Sequence, residues 1–159
     1  MQDFQYIRPK TLKQALELVD KYGKEAKILA GGTDLIVALR GNAAHCKWLI
    51  DVKGVKELSG ITYDDEIGLT IGSSVTLNEI IDCDKIKLCY PILAQAAKTL
   101  ANALIRNRAT LIGNICNSSP GGDMLPASLV LEGRVFVSSI NGNREIPLKD
   151  FLVACKIQH

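Results

Sequence analysis

The chain has 159 residues, enough for one domain or two small lobes that bury about 70% of the extended surface on folding. With 47% apolar and 23% charged residues it falls in the ordinary globular class, which argues against disordered or fibrous designs. A formal charge of +2, with Arg106 and Arg108 as the one close arginine pair, argues against a nucleic-acid partner, which needs a basic stripe.

In chain order, Thr11-Leu-Lys-Gln14 has the spacing of a capping box, and Leu12, Ala15, Leu16 and Val19 continue it as an apolar helical face ending near Gly23. A strand is expected over 26–30, carrying Lys27, Ile28, Leu29 and Ala30. It stops at Gly31-Gly32 and restarts as a helix, with Thr33 and Asp34 at cap positions and Leu35, Ile36 and Leu39 at helical spacing. Such a junction suits a phosphate. Glycines permit positive φ and close approach, and free amides with a helix dipole favour an anion. A tight strand-to-helix turn is the plainer alternative. Asp34 opposes a diphosphate by charge unless its carboxylate turns inward as a helix cap.

A strand over 48–52 completes a compact strand–helix–strand lobe over residues 1–55, and 56–159 form a larger lobe. There, a hairpin pairs 60–63 with 67–71 across Asp64-Asp65-Glu66, and Thr76-x-x-Glu79 opens a helix. Pro91 begins the next helix, whose buried stripe is Ile92, Leu93, Ala96, Ala97, Leu100 and Leu104. Arg106 and Arg108 read as solvated charges at a helix end. After a glycine-bearing segment, 124–131 suits a short helix, and 135–138 pairs with 145–147 around Asn141-Gly-Asn. The mixed order of elements predicts an α+β fold of two lobes, the larger with a mixed sheet.

Residues Ile105-Arg-Asn-Arg-Ala-Thr-Leu-Ile-Gly-Asn-Ile-Cys-Asn-Ser-Ser-Pro-Gly-Gly-Asp123 mix glycines, short polar groups and apolar residues in a way that surface loops rarely need. Together with Lys27-Ile-Leu-Ala-Gly-Gly-Thr-Asp34, this stretch resembles the two flavin-binding signatures of the FAD-binding subunit of molybdenum hydroxylases, the xanthine dehydrogenase and carbon monoxide dehydrogenase family. Trp48-Leu-Ile-Asp-Val52 and Leu69-Thr-Ile-Gly-Ser-Ser-Val-Thr-Leu-Asn-Glu-Ile80 extend the likeness in the family's order.

The resemblance implies that FAD is the cofactor, held by Lys27, Ile28, Leu29, Ala30, Gly31, Gly32, Thr33 and Asp34 from the smaller lobe. Thr110, Leu111, Ile112, Gly113, Asn114, Asn117, Ser119 and Asp123 would close on it from the larger one. Helix capping competes with ligation at Asp123. Backbone donors can anchor a diphosphate without a basic patch, each charge-assisted bond contributing about 1.5–3 kcal/mol. The family writes a second Gly-Gly where Ile112 precedes Gly113 here, and a branched side chain there restricts positive φ and is expected to crowd the flavin. Family members also continue past Asp150-Phe-Leu-Val, with further strands and a domain over the flavin ring.

By the same resemblance, electrons leave a molybdopterin subunit, pass through an iron–sulfur subunit, and reach FAD for delivery to NAD or another acceptor. The chain has no catalytic acid–base pair or metal site of its own to offer, and His45 and His159 read as loop and tail residues. A truncated, flavin-free docking module is the alternative. Five irregularly spaced cysteines fit reduced thiols in a cytoplasm, where the Asn117-Ser-Ser119 sequon stays unmodified. No apolar run reaches the ~20 residues of a membrane span, and the first residues lack a secretory pattern.

Overall fold

The structure, a computed structural model, describes residues 3–119 and 121–157, with side chains as far as Val153. The first third of the chain folds as β1 (Gln5–Ile7), α1 (Leu12–Tyr22), β2 (Ala26–Leu29), α2 (Leu35–Arg40) and β3 (Trp48–Asp51). Its three strands are all parallel, in the order β1-β3-β2, with Ile7 opposite Ile50 and Leu29 opposite Asp51. Strand alternation sends successive residues of β3 to opposite faces. Accordingly Ile50 packs with Ala15, Val52 and Val55 beneath α1, while Leu49 packs with Leu29, Leu39 and Cys46 beside α2. The central strand is thereby buried on both faces. β1 has only three residues, too few to show alternation, and the sequence gives no sign of it.

Thr11 caps α1 by accepting from the Gln14 amide at 3.2 Å. Gln14 Oε1 accepts in return from the Lys10 amide at 2.9 Å, one residue before the reciprocal position of a capping box. At the amino end of β3, Trp48 stacks on Tyr22 with ring centroids 4.0 Å apart.

Two short 3-10 turns lead to an antiparallel hairpin, β4 (Ile61–Asp64) with β5 (Gly68–Ile71). Asp64 holds its turn by accepting from the amides of Glu66 and Ile67, both at 2.9 Å. Next come α3 (Leu77–Asp82), α4 (Asp84–Cys89), α5 (Pro91–Thr99), α6 (Ala103–Arg106), α7 (Leu111–Asn117) and α8 (Met124–Val130). The expected capping box is present at α3: Thr76 Oγ1 accepts from the Glu79 amide, and Glu79 Oε2 accepts from the Thr76 amide at 2.7 Å. Val75, Leu77, Ile80, Ile86, Leu93, Ala94, Ala97, Ala109, Met124 and Ala127 form the core here.

A second hairpin, β6 (Arg134–Ser139) with β7 (Gly142–Pro147), and α9 (Leu148–Ile157) enclose another cluster of Ile115, Val135 and Leu148. Ser139 faces Gly142, so the two-residue turn is Ile140-Asn141, one position earlier than Asn141-Gly-Asn suggests. The mixed helix-and-strand architecture agrees with the α+β class, but the described strands after β3 form two separate antiparallel hairpins and not the mixed sheet expected of the larger lobe.

Two expectations fail in this region. The buried positions of α5 are Leu93, Ala94 and Ala97, whereas Ile92 is 39% and Leu104 77% exposed. The helix stops at Thr99, and Ala101 at φ 46° redirects the chain into α6, so Leu104 lies on a different axis. Arg106, in turn, is no simple solvated charge. Its Nη1 donates to the carbonyls of Lys98, Leu100 and Ala101 at 3.3, 3.0 and 3.0 Å, and its Nε to Asn78 at 3.4 Å. It thus satisfies carbonyls that the end of α5 leaves open.

Candidate functional site

β2 brings Lys27, Ile28 and Leu29 to the carboxyl end of the parallel sheet, with Lys27 and Ile28 exposed and Leu29 buried. Ala30, Gly31, Gly32, Thr33 and Asp34 then cross that end before α2 begins. The two glycines are required for different reasons. Gly32 has φ +84°, and a Cβ there would lie 2.6 Å from Leu29 Cδ1. Gly31 is not in the left-handed region, but a Cβ on it would meet the Arg108 carbonyl oxygen at 2.2 Å and Ala109 Cα at 3.1 Å. The first glycine loop therefore lies directly on the backbone that enters the second segment.

Among the described residues, the amides of Gly31, Gly32, Thr33 and Asp34 donate no hydrogen bond to the protein, while the Gly32 carbonyl accepts from Ile36 at 3.0 Å. The cap expected of Asp34 is not made. Its exposed carboxylate accepts only from the Thr33 hydroxyl at 3.3 Å, because the residue is itself helical at φ −93°, ψ −47° and cannot fold its side chain back onto the first turn. With only six residues, α2 presents a modest dipole, so any anion at this loop would be met by free amides more than by a long helix.

The second glycine-bearing segment is helical from Leu111 to Asn117, with Thr110 extended just before it. Thr110, 3% exposed, caps α7 by accepting from the Gly113 amide at 3.0 Å. Ahead of it, Ala109 accepts from the Leu77 amide at 2.9 Å, and Thr110 bridges Thr76. Leu111 and Ile112 turn into the cluster around Ile115, Val135 and Leu148. Ile112 does not take positive φ, and its partly buried side chain packs against the cluster of Ile115, Val135 and Leu148.

Asn114, on the same helix, keeps a buried Oδ1 for which the protein supplies no donor. That oxygen lies 3.2 Å from where a Gly122 Cβ would stand, beside the Ser119 carbonyl. Ser119 accepts from Gly122 at 2.9 Å through its carbonyl and from Gly121 at 3.4 Å through Oγ. Asn117 ends α7 exposed. Asp123 precedes α8 without capping it, again because its own backbone is helical. The structure thus joins the first loop to the residues just before Thr110, and Asn114 to Ser119 and Gly122. Among the described residues no hydrogen bond links Asn117, Ser119 or Asp123 to the first loop.

A polar trio at the same sheet end escaped the sequence reading. Asp51, 3% exposed at the end of β3, accepts from the Tyr6 hydroxyl and from the Lys53 amide at 3.0 Å, and pairs with Lys53 Nζ at 2.7 Å. Burial alone would raise its carboxyl, but the hydrogen bonds from Lys53 and Tyr6 outweigh burial and hold it below the ordinary carboxylate range. The bond to Asp51 pushes the Tyr6 phenol up. An aspartate closing the apolar run Trp48-Leu-Ile was the available signal, since a buried charge demands partners.

In parallel sheets, ligands gather outside the carboxyl ends of the strands. A shallow hollow of about 510 Å³, lined by Asp3, Glu25, His45 and Lys47 among others, lies at the amino end instead. His159 and the side chain of Cys155 fall outside the described residues. No helix among the described residues is long and apolar enough to cross a membrane.

A family model described as "FAD binding domain in molybdopterin dehydrogenase" matches residues 2–159. The carbon monoxide dehydrogenase medium chain of Hydrogenophaga pseudoflava is 33% identical over 94% of this chain and 52% of its own length. A xanthine dehydrogenase FAD-binding subunit of Escherichia coli O157:H7 is 34% identical over 92% and 50% respectively. A solved structure of the Hydrogenophaga pseudoflava carbon monoxide dehydrogenase, in a form lacking the Mo-pyranopterin moiety, superposes with a TM-score of 0.90 at 33% identity, covering 95% of this chain and 52% of that one. The chain spans about half the length of the curated relatives it matches.

Proposed function

Since the chain belongs to the family of FAD-binding domains of molybdopterin dehydrogenases, we propose that it binds FAD between its two glycine-bearing segments and serves as the flavoprotein part of a xanthine dehydrogenase-like complex. The single observation carrying this reading is the packing of Gly31 on the Arg108 carbonyl, which draws residues distant in sequence to one sheet end. The residues present fit the cofactor. Four adjacent amides without protein acceptors suit a diphosphate, and the donorless Oδ1 of Asn114 suits a ligand's hydroxyl or N–H.

In this reading the stretch from Lys27 to Asp34 cradles the diphosphate and ribose. Thr110, Leu111, Ile112, Gly113, Asn114, Asn117, Ser119 and Asp123 form the facing wall, Ile112 by packing behind it. The lobes run over 1–55 and 56–159, each carrying one segment. When bound, FAD would supply the redox chemistry, as a carrier able to exchange one or two electrons. The protein binds and orients it. Electrons come from an iron–sulfur subunit and ultimately from a molybdopterin subunit, and leave to NAD or another acceptor in the cytoplasm.

Absorbance tests the assignment. The purified chain is expected to carry a flavin spectrum through desalting, or to regain one with added FAD. Gly32→Val, which sets a branched side chain at φ +84° against Leu29, should abolish retention while preserving helical circular dichroism. Equal flavin occupancy in variant and parent contradicts the assignment. A colourless parent that ignores FAD supports the rival reading, a flavin-free docking module, whose argument from Ile112 weakens because that side chain packs in the core.

A further inference from the structure

Arg8 and Arg108 converge on the carboxyl end of the parallel sheet from two separate parts of the chain. Arg8 follows β1, and its guanidinium lies over Gly54 just past β3, its Nε 3.0 Å from where a Cβ would be. Arg108 is exposed, and its backbone is pinned beneath Gly31. Both guanidinium charges pull the Tyr6 phenol down, against the larger upward push of its hydrogen bond to Asp51, which closes β3. That carboxylate is already taken by Lys53 at 2.7 Å. Among the described residues neither arginine makes an ion pair. Two guanidinium groups without a carboxylate partner at one sheet end leave positive charge that an anion arriving there would neutralise.

We infer that Arg108, seconded by Arg8, is a cationic binding residue for the diphosphate of the dinucleotide, offsetting Asp34 and supplementing the neutral amides of the glycine loop. This rests on the proposed FAD site and goes beyond it, because it assigns side-chain charge to a grip otherwise made by backbone. Planar guanidinium donors match phosphate oxygens in pairs. A charge contact with phosphate also carries a dependence on salt that backbone packing does not.

The test is FAD affinity of the full chain across a range of ionic strength, for the parent, Arg108→Gln, Arg108→Lys and Arg8→Gln, with riboflavin as the probe lacking phosphate. Arg108→Gln is expected to weaken FAD about tenfold and flatten the salt dependence. Arg108→Lys should recover only part of the loss, since an ammonium keeps the charge but not the paired donors, Arg8→Gln should show a smaller loss than Arg108→Gln, and riboflavin affinity should not move. Unchanged FAD affinity in Arg108→Gln overturns the inference while leaving the FAD site standing. So does a loss with the parent's salt slope, or an equal loss for riboflavin, each of which marks a structural role. Should Arg108→Gln misfold, Arg108→Met, which keeps the bulk of the stem without the charge, takes its place under the same criteria. A parent that binds no FAD removes the site and the inference together.

Discussion

Gly31→Ala puts the packing of the two segments under direct strain. The added methyl would stand 2.2 Å from the Arg108 carbonyl oxygen, 3.0 Å from its carbon and 3.1 Å from Ala109 Cα. All three are backbone atoms, so no rotamer change relieves the overlap, and one segment must retreat by about 1.2 Å to reach the 3.4 Å of ordinary contact. Overpacking of this kind costs about 1–3 kcal/mol. For a chain of this size each kcal/mol lowers the melting temperature by about 2–4 °C, so a fall of about 2–12 °C is expected. Binding suffers separately. Displacing the loop amides removes at least one charge-assisted bond to the diphosphate, which corresponds to a tenfold or greater loss of FAD affinity. Thermal melts by circular dichroism and equilibrium dialysis of FAD measure the two effects. Gly41→Ala is the control, because its new methyl would meet only the Val37 and Ala38 carbonyl oxygens, at 3.4 and 4.0 Å. If Gly31→Ala melts and binds like Gly41→Ala, the two segments do not meet as described, and the reasoning fails.

Two further outcomes follow from particular side chains. Asp51 is held below the ordinary carboxylate range in the folded chain, so the unfolded chain binds more protons as acidity rises. Its contribution is therefore present above the unfolded value and is lost as pH falls through the folded one. Asp51→Asn should flatten that acid-side decline in denaturant titrations, and an unaltered pH profile would count against the trio. Asn114→Ala should split stability from binding. Removing a buried oxygen that lacks a donor leaves the flavin-free chain as stable or up to about 1 kcal/mol more so, while FAD binds more weakly. A variant less stable without flavin but equal in FAD affinity refutes the ligand role.

The sequence was most legible where a short stretch determines its own geometry. Thr76 and Glu79 announce the start of α3 because both partners of the box lie within one turn. The pair Gly31-Gly32 marks the end of β2 in the same way. The Leu111–Asn117 helix was hidden because β-branched residues and a glycine depress its local propensity. Its stability comes from the Thr110 cap and from Leu111, Ile112 and Ile115 packing against a hairpin that forms later in the chain. Nor could local pattern show that Gly31 faces Arg108, or that Tyr6 and Lys53 complete Asp51, since those contacts exist only after the strands align. Thus the candidate site was visible as two pieces, and their meeting was not.

Trp48 is the chain's one tryptophan, and it stacks on Tyr22 at the end of β3 remote from the glycine loops. Its intrinsic emission therefore reports the integrity of the parallel sheet from a position outside the proposed cofactor site. A change in that emission on adding flavin would signal either resonance transfer to the bound ring or a tightening that travels along the central strand.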